Sequence, residues 1–346
     1  MVTHKERQLA AIRHEVSDRA SADAIWVDNA EAIAEFLGIG PKEVSSRLGL
    51  DGRLVVLEYE DEFSTAAADV NRVKWSTTVI DNANAGYGTT RVYPLAGADS
   101  VSAVEAYHWP DTDKFNYQRA FAAAGKYGDT HAVRGPLWAP LFCRAADLFG
   151  IEDALVALID RPVVMEAALE RITDITVEII ERLLDGCGDS MPILCLGDDF
   201  ATQRGMMFSP QLWRKFIRPH LARMFEVGKK RGKYIWFHSC GNITDVLGDL
   251  IDIGMDIWET VQLQTLAMPP EDLKREYGRH VTFFGGINTQ KLPFATPDEI
   301  RREVRRKIEI LGEGGGYICG PDHTLNLDVP AVNAVALYEA IGSFRG

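Results

Sequence analysis

The chain has 346 residues, of which 46% are hydrophobic and 25% charged, and its formal net charge is −13. This composition is typical of a globular protein with a large core, and the acidic balance argues against nucleic acid or an anionic membrane as a partner. The sequence has no apolar run of the ~18 residues that a membrane span needs and no signal peptide, and its five cysteines are scattered. We therefore expect a cytoplasmic protein with reduced thiols.

Short apolar runs alternate with long amphipathic stretches from about residue 131 onward. The strand candidates in this part are 131–137, 192–197, 234–238, 255–259, 281–285 and 316–319, and two earlier ones are 24–28 and 54–59. Such alternation indicates parallel strands that are joined by right-handed crossovers. No GxGxxG or GxxxxGK[ST] motif opens a helix, which disfavours an open dinucleotide-binding sheet. The eight runs therefore predict an α/β fold, a (β/α)8 TIM barrel.

Helix signals support this organisation. Residues 164–184 carry apolar side chains at steps of three and four, and Ser209-Pro210 and Thr296-Pro297 are start signals for two further helices. The alternation is lost between about 60 and 130, a stretch that we interpret as an insertion or a lid over the barrel mouth. We expect one domain over residues 1–346, and the sequence leaves a homodimer open.

The sharpest feature is His238-Ser239-Cys240 at the end of a predicted strand. Side chains two residues apart on a strand point the same way, so His238 and Cys240 are expected to face one cavity. Both are zinc ligands, and Cys319, which ends another predicted strand, completes a set of three that leaves a fourth position open, as in catalytic sites. Glu259 is our candidate for that position until substrate displaces it. The alternative is a buried cysteine beside a hydrogen-bonded histidine.

Other polar residues follow the predicted strands, where the chemistry of such barrels lies. Asp198 and Asp199 are candidates for a general base or for holding substrate, because adjacent carboxylates in a cleft often have raised pKa values. A capping role for one of them and a solvated position for the other is the alternative. The candidate substrate-binding residues are Gln203, Asn288, Asp322 and His323. For Asp322 and His323, orientation of a metal ligand and a plain turn position are also open.

Several segments resemble the uroporphyrinogen decarboxylase superfamily. They are FHSCGNITDVLGDLIDIGMDIWETVQ, FFGGIN and GGGYICGPDHTLNLDVP, and RQLAAIRHEVSDR and GDDFATQRGMMFSPQLWRKFIRP are similar to its methyltransferase-like branch. The resemblance covers most of the chain, is weakest between about 30 and 130, and implies a (β/α)8 barrel. The decarboxylases carry an RQAGR loop that grips substrate carboxylates. Here Arg7-Gln8-Leu9-Ala10-Ala11 departs from that loop after two residues, which disfavours porphyrin decarboxylation.

The corrinoid-linked methyltransferases of this superfamily hold zinc through an H-x-C-x(n)-C pattern. In this chain the pattern matches His238, Cys240 and Cys319. The resemblance therefore implies Zn²⁺ as cofactor and methyl transfer between a corrinoid and a small O-, N- or S-methylated compound, a thiol or a folate. Asp129-Thr130-His131 begins like the DxHxxG corrinoid motif, but Arg134 replaces its glycine. The implied partner is therefore a separate corrinoid protein.

Two other functions are open at this point. The first is a metal-independent decarboxylase or lyase on the same barrel that uses Asp198 or Asp199. Its mark would be a cluster of arginines that binds substrate carboxylates. The second is a non-enzymatic protein that binds a small ligand in the barrel mouth. A barrel hosts many reactions, so the site residues have to decide between these functions.

Overall fold

The computed structural model describes residues 2–58, 78–80, 90–136 and 140–344, with the backbone alone at 78–80 and 90–92. Its strands are β1 Ser21–Ala22, β2 Gly52–Leu54, β3 Thr78–Ile80, β4 Thr90–Val92, β5 Ala132–Pro136, β6 Ile193–Gly197, β7 Ala201–Thr202, β8 Gly205–Met206, β9 Tyr234–His238, β10 Ile257–Val261, β11 Thr282–Ile287 and β12 Tyr317–Pro321. Eight of them form one sheet in the order β1-β12-β11-β10-β9-β6-β5-β2, and every adjacent pair in this sheet is parallel.

This sheet is a nearly closed barrel, as the sequence predicts. β1 and β2 lie at its two ends, and the Asp51 N–H beside β2 donates to the Ala22 carbonyl of β1 at 2.8 Å. β7 and β8 form a separate short hairpin just after β6, and β3 and β4 form a second antiparallel pair. The barrel fold is therefore confirmed, and it gives the site a C-terminal face that is built from the ends of eight strands.

The two predicted N-terminal strands are shifted in the structure. The run at 24–28 follows β1 and pairs at one point only, where Val27 forms an isolated parallel bridge to Leu325 through the Asp28 N–H on the Leu325 carbonyl (3.0 Å) and the Leu325 N–H on the Trp26 carbonyl (2.9 Å). Its apolar character has another cause, because Ile25 packs inside the barrel. The run at 54–59 likewise begins at the last residue of β2. Both strands are therefore shorter than the sequence predicts and begin earlier in the chain.

The helices alternate with the strands and form the outer layer. Their bounds are α1 His4–Ile12, α2 Ala30–Leu37, α3 Val44–Arg47, α4 Val101–Glu105, α5 Tyr117–Tyr127, α6 Phe142–Phe149, α7 Ile151–Asp160, α8 Pro162–Cys187, α9 Pro210–Phe216, α10 Arg218–Lys230, α11 Thr244–Asp252, α12 Pro270–Tyr277, α13 Pro297–Leu311 and α14 Ala331–Ser343. The predicted starts of α9 and α13 are confirmed, since Ser209 and Thr296 each accept a backbone N–H at the N-cap. Over the residues described, no helix is long and apolar enough to cross a membrane.

The region predicted as an insertion, about 60–130, is described only in part. Residues 59–77 and 81–89 lie outside the described residues, and β3, β4 and α4 lie inside them. At its C-terminal end, α5 occupies the usual crossover position before β5. The barrel therefore resumes before residue 130, and the role of the preceding segment as a lid stays a prediction.

Most strands contribute one or two side chains to the interior of the barrel, and α1 covers the N-terminal end of the barrel. These residues form a cluster of their own, separate from the larger core between strands and helices; its strand members are Ala132, Ile193, Cys195, Trp236, Ile257, Phe284 and Ile318, and its α1 members are Ala11 and Ile12. The Ala11 carbonyl accepts the Gly316 N–H at 3.1 Å, which ties α1 to the start of β12. The opposite, C-terminal end is left for function.

A buried carboxylate fastens α1 to the strands. Asp51 has no exposed side chain, and its oxygens accept from the Arg7 guanidinium at 2.8 Å, the Arg19 guanidinium at 2.9 Å and the Ala22 N–H at 2.9 Å. His4 Nδ1 lies 2.7 Å from the same carboxylate. Removal of one partner from a buried ionic cluster leaves the others uncompensated, and this costs more than the pair contributed.

We predict that Asp51→Ala lowers the free energy of unfolding by about 3–5 kcal/mol, because two arginines lose their buried carboxylate. Urea denaturation followed by circular dichroism measures this change. The control is Glu15→Ala, which breaks the solvent-exposed pair between Arg13 and Glu15 and should leave the midpoint unchanged. Equal midpoints for Asp51→Ala and wild type would show that the cluster does not hold α1 in place.

Candidate metal centre

His238 is the last residue of β9, and its ring faces the C-terminal mouth of the barrel. Two residues earlier, Trp236 belongs to the interior cluster, so alternation along the strand places His238 on the same inner side. Gly197, its register partner on β6, makes room, because a side chain there would collide with the Cβ of His238. Cys240 follows on the same side, with its Sγ 3.4 Å from His238 Nε2. The predicted pairing of these two residues is therefore found in the structure.

The third member of the cluster is His323, which lies two residues beyond the end of β12. One ligand atom from each of His238, Cys240 and His323 lies within 4.8 Å of the others, a group that fits a single metal ion. The two imidazole rings meet edge to face, with 6.0 Å between their centroids. The sequence names His323 as a candidate substrate-binding residue, whereas the geometry makes it a candidate metal ligand.

Cys319 does not join this cluster, which is a correction to the ligand set that the sequence predicts. It lies in the middle of β12, and its side chain belongs to the outer core between strands and helices, whereas its neighbour Ile318 points into the barrel. The side chain of Tyr317, two residues earlier, belongs to the same outer core. The predicted strand ends two residues too early, at Cys319, so the prediction assigned this residue to the mouth.

Glu259 is next to the cluster, but it contacts the ring nitrogen of His238 that points away from the cluster. Its Oε1 lies 3.0 Å from His238 Nδ1, and its Oε2 accepts the indole N–H of Trp236. The side chain is buried, and both of its oxygens have partners. This is the contact that metal-binding histidines usually make through their second ring nitrogen. The structure therefore places Glu259 behind His238 rather than at the open fourth position that the sequence predicts.

Burial controls the protonation of these groups. It lowers the pKa of His238 to about 3, so the imidazole is neutral at physiological pH, the form in which histidine binds metals. Burial raises the pKa of Glu259 to about 8 and, with the nearby Asp199 carboxylate, holds the pKa of the Cys240 thiol above its usual range. Metal binding requires a thiolate, so metal uptake at this site has to release the Cys240 proton.

The two adjacent aspartates after β6 have different environments. Asp198 is fully buried and accepts the N–H groups of Phe142 (2.7 Å) and Cys143 (2.8 Å) at the N-terminus of α6, while burial raises its pKa to about 6. It is thus a helix cap, the alternative that the sequence left open. The side chain of Asp199 is 37% exposed and faces the cluster. Its Oδ1 accepts the Cys240 N–H at 2.7 Å and lies 3.6 Å from His238 Nε2.

The remaining candidates are divided between the loops and the surface. Gln203 is exposed in the turn between β7 and β8. Among the residues described, no hydrogen bond joins it to the cluster. Asn288 accepts the Gln290 N–H at 2.9 Å and so shapes its own loop. Asp322 holds two loops together beside His323: Oδ1 accepts from Thr289 Oγ1 at 2.7 Å and Oδ2 from Gln264 Nε2 at 2.7 Å. It supports the loop that carries His323.

Sequence reasoning missed the contacts behind the cluster. Trp236 reads as an ordinary core residue, yet it donates to Glu259, and the guanidinium of Arg134 lies over its ring at 4.7 Å. Gln262 Oε1 accepts the Gly241 N–H at 2.9 Å and so fixes the turn after Cys240. One signal was available for the tryptophan, because it lies two residues before His238 and therefore shares its side of the strand.

Comparison with known proteins is consistent with this architecture. The family model for uroporphyrinogen decarboxylase (URO-D) matches residues 113–344, more than half of the chain and all of the cluster. The uroporphyrinogen decarboxylase of Psychromonas ingrahamii is 24% identical over 183 residues, which are 52% of this chain and 48% of that protein. That of Pseudoalteromonas atlantica is 30% identical over 74 residues, 21% of each. The chain thus matches less than half of either relative's length.

A solved structure extends the similarity to the whole chain. The methyltransferase from Methanosarcina mazei superposes with a TM-score of 0.71 over 99% of both chains, at 17% sequence identity. At this identity the likeness concerns the fold, and it confirms the barrel with its helices. The family match and the superposition agree with the resemblance that the sequence shows. This chain therefore belongs to the uroporphyrinogen decarboxylase family.

Proposed function

We propose that this protein is a zinc-dependent methyltransferase that exchanges a methyl group between a small methylated compound and a corrinoid on a partner protein. The observation that carries the proposal is the cluster of His238, Cys240 and His323 at the C-terminal mouth of the barrel. Nitrogen and thiolate donors suit zinc, and three protein ligands leave a position for substrate. The name of the structurally similar Methanosarcina mazei protein, a methyltransferase, supports the reaction class.

The donor atoms fit the metal in three respects. They lie within 4.8 Å of one another, His238 is kept neutral by burial, and its second nitrogen is held by Glu259. When bound there, zinc would act as a Lewis acid that either stabilises a thiolate acceptor or polarises the heteroatom that releases the methyl group. The set of two histidines and one cysteine replaces the histidine and two cysteines that the sequence predicted.

The chain's own residues supply positioning and proton control. The backbone around Cys240 is fixed by Asp199 and Gln262, and the exposed part of Asp199 faces the cluster. Asp199 is therefore our candidate for the general base or for holding substrate, while Asp198 maintains α6. Methyl transfer at such a site depends on the alignment of the nucleophile, the methyl carbon and the leaving atom.

The metal-independent decarboxylase has less support, although family members carry that name. Its mark is a set of arginines available to substrate carboxylates, but two of the candidates are paired with carboxylates elsewhere in the barrel. Arg134 is paired with Asp23 inside the barrel, Arg19 is paired with Asp51 at the closed end, and Arg204 is exposed in the β7–β8 turn. The Asp199 carboxylate that faces the cluster would also repel a carboxylate substrate.

The ligand set gives a direct prediction. Purified wild type should contain about one zinc per chain, and His323→Ala and Cys240→Ser should each lose most of it because a three-ligand site loses one donor. Cys319→Ser is the matched control: it changes the third ligand that the sequence predicts, but the variant protein should keep its zinc. Elemental analysis with thermal melting of each variant measures this. Zinc loss in Cys319→Ser together with full zinc in His323→Ala would restore the predicted ligand set.

The reaction can be tested with cobalamin in place of the partner protein. The zinc-loaded enzyme should change the absorbance of cob(I)alamin in the presence of a methoxylated aromatic, a methylated amine or a methylated thiol, or that of methylcobalamin in the presence of a thiol or folate. His323→Ala should reduce the rate by at least ~10-fold, since metal activation is lost. If fully zinc-loaded wild type reacts no faster than His323→Ala with any of these compounds and still binds a small ligand tightly, the non-enzymatic alternative is favoured.

A further inference from the structure

A line of buried polar contacts runs through the barrel from α1 to the metal cluster. At its closed end, Gln8 Nε2 donates to Asp23 at 2.8 Å, and Arg134 pairs with the same carboxylate at 2.5 Å. The Arg134 guanidinium lies over the Trp236 ring at 4.7 Å, and the Trp236 indole donates to Glu259. Apolar side chains pack around this line in the barrel interior, among them Ile193, Ile257 and Ile318.

The line ends on the nitrogen of His238 that does not face the cluster. Glu259 Oε1 lies 3.0 Å from His238 Nδ1, while Nε2 of the same ring lies 3.4 Å from Cys240 Sγ. We propose that Glu259 is a positioning residue that fixes the ring of His238 for metal binding, and that Trp236, packed against Arg134, fixes Glu259 in turn. This inference rests on the proposed metal site, and it assigns roles to residues outside the ligand set.

The geometry favours positioning over direct metal binding by Glu259. Each of its two oxygens has one partner in the barrel interior. The group that could hold a metal consists of His238, Cys240 and His323, without Glu259. The carboxylate is 1% exposed, so water does not compete for it. In the metal-binding form His238 donates through Nδ1, which leaves Nε2 free of a proton and available as a ligand.

Tryptophan is the residue that this arrangement needs behind the glutamate. The Trp236 indole N–H is a donor that a phenyl ring lacks, and the guanidinium of Arg134 is held against the ring by its pair with Asp23. Gly52 on β2 makes room for that pair, because a side chain there would collide with both Asp23 and Arg134. Strand β2, far from the cluster in sequence, is thereby adapted to the same line of contacts.

The test measures zinc affinity by competition with a chromophoric chelator. Glu259→Gln should weaken zinc binding by about 10–100-fold, because a glutamine oxygen accepts from only one of the two donors that Glu259 serves. Trp236→Phe should weaken it by about 10-fold, because the glutamate loses the donor that holds it. The matched control is Trp258→Phe, since Trp258 is equally buried, lies beside Glu259 on the opposite side of β10, and its indole nitrogen is without a hydrogen-bond partner.

Trp258→Phe should keep wild-type zinc affinity even if its melting temperature falls as far as that of Trp236→Phe. Equal affinity in wild type, Glu259→Gln and Trp236→Phe would overturn the positioning role while leaving the metal site intact. A wild type that binds no zinc would instead overturn the proposed function. In that case histidine ¹⁵N NMR of the metal-free protein still tests the contact between Glu259 and His238. The His238 Nδ1 signal should shift in Glu259→Gln and Trp236→Phe but not in Trp258→Phe. An unchanged signal in the first two variants overturns the proposal.

Discussion

The hydrogen bond between Glu259 and His238 is the interaction on which the organisation of the candidate metal site depends. A carboxyl group buried in an apolar interior is unfavourable unless donors surround it. Here the donors are His238 and Trp236, and the positive charge of Arg134 lies nearby on the far side of the tryptophan. That arginine in turn requires the buried carboxylate of Asp23. One buried group at the mouth thus imposes polar partners down the interior.

The two ends of the barrel use buried carboxylates differently. At the closed end, Asp51 is surrounded by Arg7, Arg19 and His4, and its role is to fasten α1. At the open end, carboxylates hold loops and orient ligands: Asp198 caps α6, and Asp322 joins the loops beside His323. This division between a stabilising end and a functional end is typical of (β/α)8 barrels. It also explains why the arginines of the N-terminal segment are not at the mouth.

Much of the fold could be predicted from the sequence because barrel strands are short apolar runs between amphipathic helices. The run that contains Trp236 and His238 was placed correctly, so the pairing of His238 with Cys240 followed from strand alternation. Cys319 could not be assigned in this way. A strand that continues two residues farther places it in mid-strand, and its parity turns the thiol toward the helices. His323 lies in a loop, where neither periodicity nor parity predicts where a side chain points.

In the proposed ligand set His323 takes the position that the sequence assigns to Cys319, and this changes the chemistry that a bound metal would supply. One thiolate fewer leaves a bound zinc with more net positive charge, which makes it a stronger Lewis acid. The central claim is therefore the ligand set, and zinc K-edge X-ray absorption of the loaded protein tests it most directly. We expect one sulfur at ~2.3 Å, with the remaining donors, among them two imidazole nitrogens, at ~2.0–2.1 Å. Two sulfur ligands would contradict it, because only one cysteine of the described residues belongs to the cluster.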